Sequence, residues 1–180
     1  MLPANRLCLA SGEEVVVRRT VEDDAEALIR YVNDVAGETD NLTFGVGDFD
    51  ISVDREKEIL VETLKSDNRL FLVAELRERI IGTLTFSGGR SSRTAHVGEF
   101  GMTVRQEYWG RGIGTLLVQT MLGWARAGGK VRKVNLRVRT DNQRAIRLYE
   151  KMGFRREGVH TRDLLIHGQF VACLAMGLEI

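Results

Sequence analysis

Patterns typical of helices alternate with patterns typical of strands along almost the whole chain, and this alternation constrains the fold most. A β-branched run at 15–18 predicts a first strand, and apolar residues at helical spacing follow over 21–36. The predicted order is β-α-α-β-β-β-α-β-α-β-β, in which helices interleave with hairpins. This order predicts an α/β fold with a mixed central sheet and helices on both of its faces.

The chain is long enough for one domain with its own hydrophobic core. We assign residues 1–12 to an N-terminal tail and 13–180 to a single domain. The remaining predicted elements are a helix at 52–66, strands at 70–76, 80–87 and 95–104, a helix at 112–127, a strand at 131–140, a helix at 142–152 and a hairpin at 154–167 and 169–178. The loop at 37–52 carries Leu42, Phe44 and Phe49, so we expect it to fold over another part of the molecule.

Charge is balanced overall but unevenly distributed. The 26 basic and 25 acidic residues give a net charge of +1, which argues against a nucleic-acid binder. The segment 34–58 holds eight acids and two bases, whereas 105–156 holds thirteen bases and three acids. These segments are either two solvated surfaces or sites for a cationic and an anionic ligand, respectively.

The cysteine content and hydropathy argue against several other classes. Cys8 and Cys173 are isolated and belong to no metal-ligand spacing, so we expect no metal and a reducing, cytoplasmic compartment. The longest uncharged stretch, 164–178 with Asp163 before it and Glu179 after it, is shorter than the roughly 20 residues of a membrane helix. We therefore expect no membrane partner.

The most informative segment is a turn rich in glycine between a predicted strand and a predicted helix. Gly110, Gly112 and Gly114 lie at the start of that helix, where glycine costs about 1 kcal/mol relative to alanine. Without side chains, the backbone N–H groups can approach an anion, and the helix N-terminus adds partial positive charge. The turn therefore predicts a phosphate or pyrophosphate site, with a tight structural turn as the alternative.

Two common phosphate-binding motifs do not fit this turn. A P-loop needs Gly-Lys followed by Ser or Thr, but Thr115 follows Gly114 directly. A dinucleotide fingerprint, Gly-x-Gly-x-x-Gly, needs a glycine at position 115, which is Thr, and an acid about 20 residues later, whereas no acid lies between the turn and Asp141. A nucleotide-binding dehydrogenase is therefore disfavoured.

Two motifs carry a resemblance to a known family. Residues 109–114 are similar to the acyl-CoA-binding signature of the GNAT superfamily of N-acetyltransferases, whose form is Arg/Gln-x-x-Gly-x-Gly/Ala, with Trp109 in place of Arg/Gln. About 30 residues later, the chain resembles a second family block, Asn-x-x-Ala-x-x-x-Tyr-x-x-x-Gly-Phe. The matching residues are Asn142, Ala145, Tyr149, Gly153 and Phe154.

The resemblance implies roles for individual residues. The backbone of Met102 and Val104 would pair with the pantetheine arm of acetyl-CoA, and Asn142 would hydrogen-bond the same arm. The tyrosine at 149 would protonate the departing thiolate. The implied cofactor-binding set is Met102, Thr103, Val104, Trp109, Gly110, Arg111, Gly112, Ile113, Gly114, Thr115, Asn142, Ala145 and Arg147. Arg144 and Lys151 are further candidates for phosphate contacts.

An amine acceptor also requires a base. A lysine-like amine has a pKa of about 10.4, so its deprotonation at pH 7 costs roughly 4–5 kcal/mol. Glu99 is the acid of strand 95–104, between Gly98 and Phe100, and is the predicted general base; His96 is the alternative. We expect direct transfer in a ternary complex rather than an acyl group carried on a cysteine.

The resemblance thus implies an acetyl-CoA-dependent N-acetyltransferase. The acidic segment 34–58 favours a cationic amine acceptor, either a small molecule such as a polyamine or a protein N-terminus. The family is often dimeric, which implies a possible homodimer. The alternative is a non-catalytic CoA-binding or CoA-sensing module on the same fold.

Overall fold

A mixed eight-stranded sheet forms the centre of the molecule. The computed structural model describes residues 4–180. Its strands are β1 (Asn5–Cys8), β2 (Glu14–Arg19), β3 (Arg69–Leu76), β4 (Arg79–Gly88), β5 (Val97–Val104), β6 (Lys133–Arg139), β7 (Arg155–Ile166) and β8 (Gln169–Glu179). Their spatial order is β1-β2-β3-β4-β5-β6-β8-β7. Only β5 and β6 are parallel; all other described neighbours are antiparallel.

Within residues 4–180, four α-helices cover the two faces of the sheet, as the element order predicts. They are α1 (Ala25–Ala36), α2 (Val53–Lys65), α3 (Ile113–Gly128) and α4 (Gln143–Lys151). Buried residues of α1 and α2 pack with Val73, whereas those of α3 and α4 pack with its neighbours Leu72 and Ala74. Since successive strand residues point to opposite faces, the two helix pairs lie on opposite sides.

The N-terminal segment differs from the prediction. Residues 5–8, which we assigned to a tail, form strand β1 and pair with β2. Asn5 donates a hydrogen bond of 2.8 Å to Thr120 Oγ1 of α3, and Leu7 packs against the core. A four-residue strand lacks enough periodicity to be recognised from sequence, so this tertiary pairing was missed.

The strands β5 and β6 separate soon after they meet. Their pairing covers only Val97–Glu99, although β5 stays paired with β4 as far as Val104 and β6 with β8 as far as Arg139. We call the gap between 100–104 and 136–139 the seam. The glycine at 98 allows β5 to lie close to the Phe86 side chain of β4, because an added Cβ there would lie 2.3 Å from Phe86 Cζ.

No helix within residues 4–180 has the length and apolar character needed to cross a membrane.

Candidate active site

One cavity connects the two faces of the sheet through the seam. Its volume is about 850 Å³. One part, the α1–α2 chamber, is bordered by α1, α2, the 37–52 loop and strands β3 and β4; the other part reaches α3 and α4. Leu42, Phe44 and Phe49 line the chamber, so the apolar loop does cover part of the molecule.

The glycine loop, residues 109–115, forms the end of the cavity next to α3. Gly110 and Gly112 have φ values of +78° and +86°, a left-handed conformation that favours glycine. The helical hydrogen bonds begin with Leu116 N–H and the Gly112 carbonyl at 3.0 Å. The N–H groups of residues 113–115 therefore precede the helical ladder, as in any first turn, and can bind an anion.

Trp109 explains the departure from the acyl-CoA signature in this loop. Its indole Nε1 donates a hydrogen bond of 2.6 Å to the Val104 carbonyl. The guanidinium of Arg144 stacks 3.8 Å from the centroid of the same ring, which joins the loop to α4. The indole thus attaches the loop to the end of β5. It already occupies the Val104 carbonyl, which belongs to one of the two residues whose backbone we expected to pair with the pantetheine arm.

The seam leaves backbone groups of β5 directed toward β6. Arg105 donates its N–H to the Ile81 carbonyl of β4 at 2.9 Å. The backbone N–H and C=O groups of successive residues point to alternate sides of a strand. Those of residues 100, 102 and 104 therefore point away from β4 and into the seam. Met102 and Val104 both border the cavity there. An extended ligand can therefore add to this edge like a strand.

Tyr149 closes the cavity from α4. Its ring packs edge-on against Phe100 and Phe154, with centroids 5.7 and 6.0 Å away. The residue is 7% exposed, and no hydrogen bond in the described chain reaches its hydroxyl. Burial raises the pKa of Tyr149 to about 12. Tyr149 lines the cavity, and its hydroxyl is therefore a protonated donor at neutral pH.

Glu99 occupies a different environment from the one we expected. Its side chain is half-exposed and accepts a hydrogen bond of 3.1 Å from Arg137 Nε, while Arg137 also pairs with Asp163 at 3.2 Å. Arg137 borders the cavity, but Glu99 stands just outside its wall. His96 is exposed and precedes β5. The role of Glu99 as a base stays a prediction.

The predicted cofactor-binding residues divide into two groups. Most of them line the cavity, namely Met102, Thr103, Val104, Trp109, Gly110, Gly112, Ile113, Gly114, Thr115, Asn142 and Ala145. Arg111 and Arg147 are exposed and do not line it; Arg111 lies over the ring of Tyr108.

Besides Trp109 and Val104, two more members of the lining set already form side-chain hydrogen bonds. Asn142 caps α4, since its Oδ1 accepts from Ala145 N–H at 3.2 Å. This leaves the amide nitrogen of Asn142 to donate to a ligand. The Thr103 hydroxyl bonds to Tyr31 at 2.9 Å and to Thr83 at 2.8 Å, so it points toward α1 rather than α4.

One acidic side chain of the cavity is not distinguished by any sequence motif. Glu56 of α2 borders the α1–α2 chamber and is only 3% exposed. Burial raises its pKa above the ordinary glutamate value. Glu56 is one of the eight acids of segment 34–58. Its one distinguishing signal is that it shares a helix face with Leu60 and Thr63, at spacings of four and seven residues.

Comparison with known proteins agrees with this arrangement. A model described as "Acetyltransferase (GNAT) family" matches residues 38–154, which include both motifs. The chain belongs to the GNAT family of acetyltransferases. A GNAT acetyltransferase structure from Streptococcus pneumoniae superposes with a TM-score of 0.90 and 31% identity, over 92% of this chain and 99% of that one.

Two GNAT relatives act on different amines, according to their names. An L-amino acid N-acetyltransferase of Escherichia coli is 32% identical over 56% of this chain and 62% of its own length. A spermidine N(1)-acetyltransferase of Vibrio cholerae is 26% identical over 57% of this chain and 58% of its own. The alignments span less than two thirds of either relative, and they do not define an acceptor.

Proposed function

We propose that the chain is an N-acetyltransferase that moves an acetyl group from acetyl-CoA to a primary amine. The observation that carries this proposal is one continuous cavity, which joins the glycine loop to Tyr149 and to a separate chamber across the sheet. Two substrates can thus approach one point from opposite faces, as direct transfer in a ternary complex requires.

The residues present fit acetyl-CoA as the acyl donor. The amides at the start of α3 suit its pyrophosphate, and the seam edge of β5 at Met102 suits its pantetheine arm. Arg144 supplies a positive charge beside the loop. When bound, acetyl-CoA supplies a thioester, whose carbonyl carbon accepts the amine.

Tyr149 is the proposed general acid. It is the hydroxyl that lines the cavity beside Phe100, and burial keeps it protonated. Its proton would go to the sulfur as the carbon–sulfur bond breaks. A positioned acid of this kind contributes about 10²–10⁴-fold to the rate.

Glu99 remains the proposed base, acting through water. One of its oxygens is bound by Arg137, which holds the side chain at the edge of the seam. Because Glu99 does not line the cavity, a water molecule would have to relay the proton from the amine to its carboxylate. His96 is the alternative base.

We propose a small cationic amine as the acceptor, in a protein of the cytoplasm. The chamber is mostly apolar and has one acid on its wall, which suits a small amine with an aliphatic part. A protein N-terminus is the second candidate, and a CoA-sensing module without catalysis is the alternative function.

The experiment is a panel of amines with acetyl-CoA, in which release of free thiol is measured. Amine-dependent thiol release supports the enzyme. Tight binding of CoA without turnover of any amine or N-terminal peptide would instead support the sensor.

A further inference from the structure

The acids of segment 34–58 differ sharply in their surroundings. Asp34 and Glu38 both pair with Arg105, and Glu58 pairs with Arg55. Glu56, in contrast, is buried to 97% and borders the α1–α2 chamber, and no ion pair within 4.0 Å in residues 4–180 involves it. The negative charge that reaches the chamber is therefore concentrated on one carboxylate.

An unpaired buried carboxylate is costly to the fold. Removal of a charged group from water carries a penalty of several kcal/mol, which a nearby cation offsets. Arg69 and Arg137 also border the cavity, but neither pairs with Glu56, and Arg137 is already bound by Glu99 and Asp163. A cationic ligand would give Glu56 the partner that the described residues do not supply.

Glu56 is too distant from Tyr149 to serve the reacting nitrogen. Helix α2 packs on β3, whereas Tyr149 packs against Phe100 of β5, and β4 lies between these strands. Two strand spacings amount to about 10 Å, and the two helices lie on opposite faces of the sheet. The wall between them includes Phe44 and Phe71, which suit an aliphatic spacer.

We infer that Glu56 binds a second ammonium group of the acceptor, while the first is acetylated near Tyr149. The substrate class is then a diamine or polyamine with an aliphatic spacer. This inference rests on the proposed function and names the specificity residue of the same site.

The test compares 1,5-diaminopentane with pentylamine, which has the same chain and lacks the second nitrogen. We expect the wild type to favour the diamine at least tenfold in kcat/KM. Glu56→Gln should bring this ratio close to one through a higher KM for the diamine, with the values for pentylamine and acetyl-CoA unchanged. Glu58→Gln, on the same helix but exposed and paired with Arg55, is the matched control and should keep the ratio.

Thermal unfolding separates binding from a structural role. Because Glu56→Gln removes a desolvated carboxylate, its Tm should stay equal to or exceed that of the wild type while the diamine preference is lost. An unchanged preference in Glu56→Gln, or a wild type without preference, would overturn the inference. An equal loss for both amines would also overturn it, since a specific ammonium contact affects only the diamine.

Calorimetry distinguishes this inference from the proposed function. Diamine binding to the protein saturated with CoA needs no turnover and should weaken at least tenfold in Glu56→Gln but not in Glu58→Gln. If the wild type binds the diamine through Glu56 yet acetylates no amine, the proposed function fails, and only the ammonium-binding role of Glu56 is retained. If turnover occurs and both variants bind equally, the inference fails alone.

Discussion

Replacement of Tyr149 with phenylalanine should change activity and stability in opposite directions. The ring, with its edge contacts to Phe100 and Phe154, is retained, and only the hydroxyl is removed. If this hydroxyl protonates the departing sulfur, we expect kcat to fall about 10²-fold, equivalent to about 2.7 kcal/mol in the activation free energy.

The stability effect follows from the missing hydrogen bond. A buried hydroxyl without a partner costs about 1–3 kcal/mol, and contact with the cavity reduces this cost. We therefore expect Tyr149→Phe to change the free energy of unfolding by between 0 and about +1 kcal/mol, with a Tm increase of at most about 4 °C. A core tyrosine held by a structural hydrogen bond would instead lose stability.

The pH dependence gives a further check. Because the pKa of Tyr149 is raised to about 12, the hydroxyl stays protonated through the usual assay range. It loses its proton only as pH rises through that value. The basic limb of the kcat/KM profile below about pH 10 should therefore be the same in both proteins.

The assay is thiol release at saturating substrates, with single-turnover rates to show that chemistry is limiting. Equal single-turnover rates for the two proteins would refute the general-acid role. A fall in rate accompanied by a loss of more than about 1 kcal/mol in stability would show that the hydroxyl supports the fold instead.

The remaining predictions concern the glycine loop, the base and the fold. Gly112→Glu places a charged side chain at a φ of +86°, so the affinity for CoA measured by calorimetry should collapse, and an unchanged Kd would exclude the loop as the anion site. Trp109→Phe deletes the bond to the Val104 carbonyl and should cost about 1 kcal/mol in chemical denaturation; no loss would mean that the bond contributes nothing. Glu99→Gln should flatten the acidic limb of kcat/KM with CoA binding retained, whereas an unaltered profile would assign the base to His96 or to water. Burial alone would raise the pKa of Asp24, but Arg18 and the Val21 N–H bring it below the ordinary value. Its contribution is thus fully present above about pH 4 and declines as pH falls through the lowered pKa, so Asp24→Asn should destabilise by about 2 kcal/mol at pH 7 and by less in acid, and an equal loss at both would contradict this linkage.

Local signals in the sequence predicted most of the elements. Ser52 caps α2, its hydroxyl accepting from Arg55 N–H, where a capping residue precedes helical spacing. The glycines at 110, 112 and 114 lie at the strand-to-helix turn, and the apolar 37–52 loop covers the cavity, both as expected. These features depend on neighbours in the chain, which a sequence displays directly.

Features created by distant contacts could not be predicted in this way. The burial of Glu56 depends on how α2 lies against β3, and Leu64, an apolar residue of the same helix, is 38% exposed. The bond from Trp109 to Val104 and the ion pair between Glu99 and Arg137 likewise require the tertiary fold. Periodicity identifies a helix but leaves the rotation of its face uncertain when polar residues lie in that face.

The short ladder between β5 and β6 also leaves the sheet as two blocks with few hydrogen bonds between them. Strands β1–β5 and β6–β8 are two antiparallel blocks, and within residues 4–180 the ladder between them covers only Val97–Glu99. A ligand seated in the seam, with its anionic end on α3 and its flank on α4, would touch both blocks and act as a clamp. At a hundredfold excess over its Kd it would add about 2.7 kcal/mol of stability. Amide hydrogen exchange should then slow in both blocks together. During turnover, the bound substrate would thus link the two halves of the sheet.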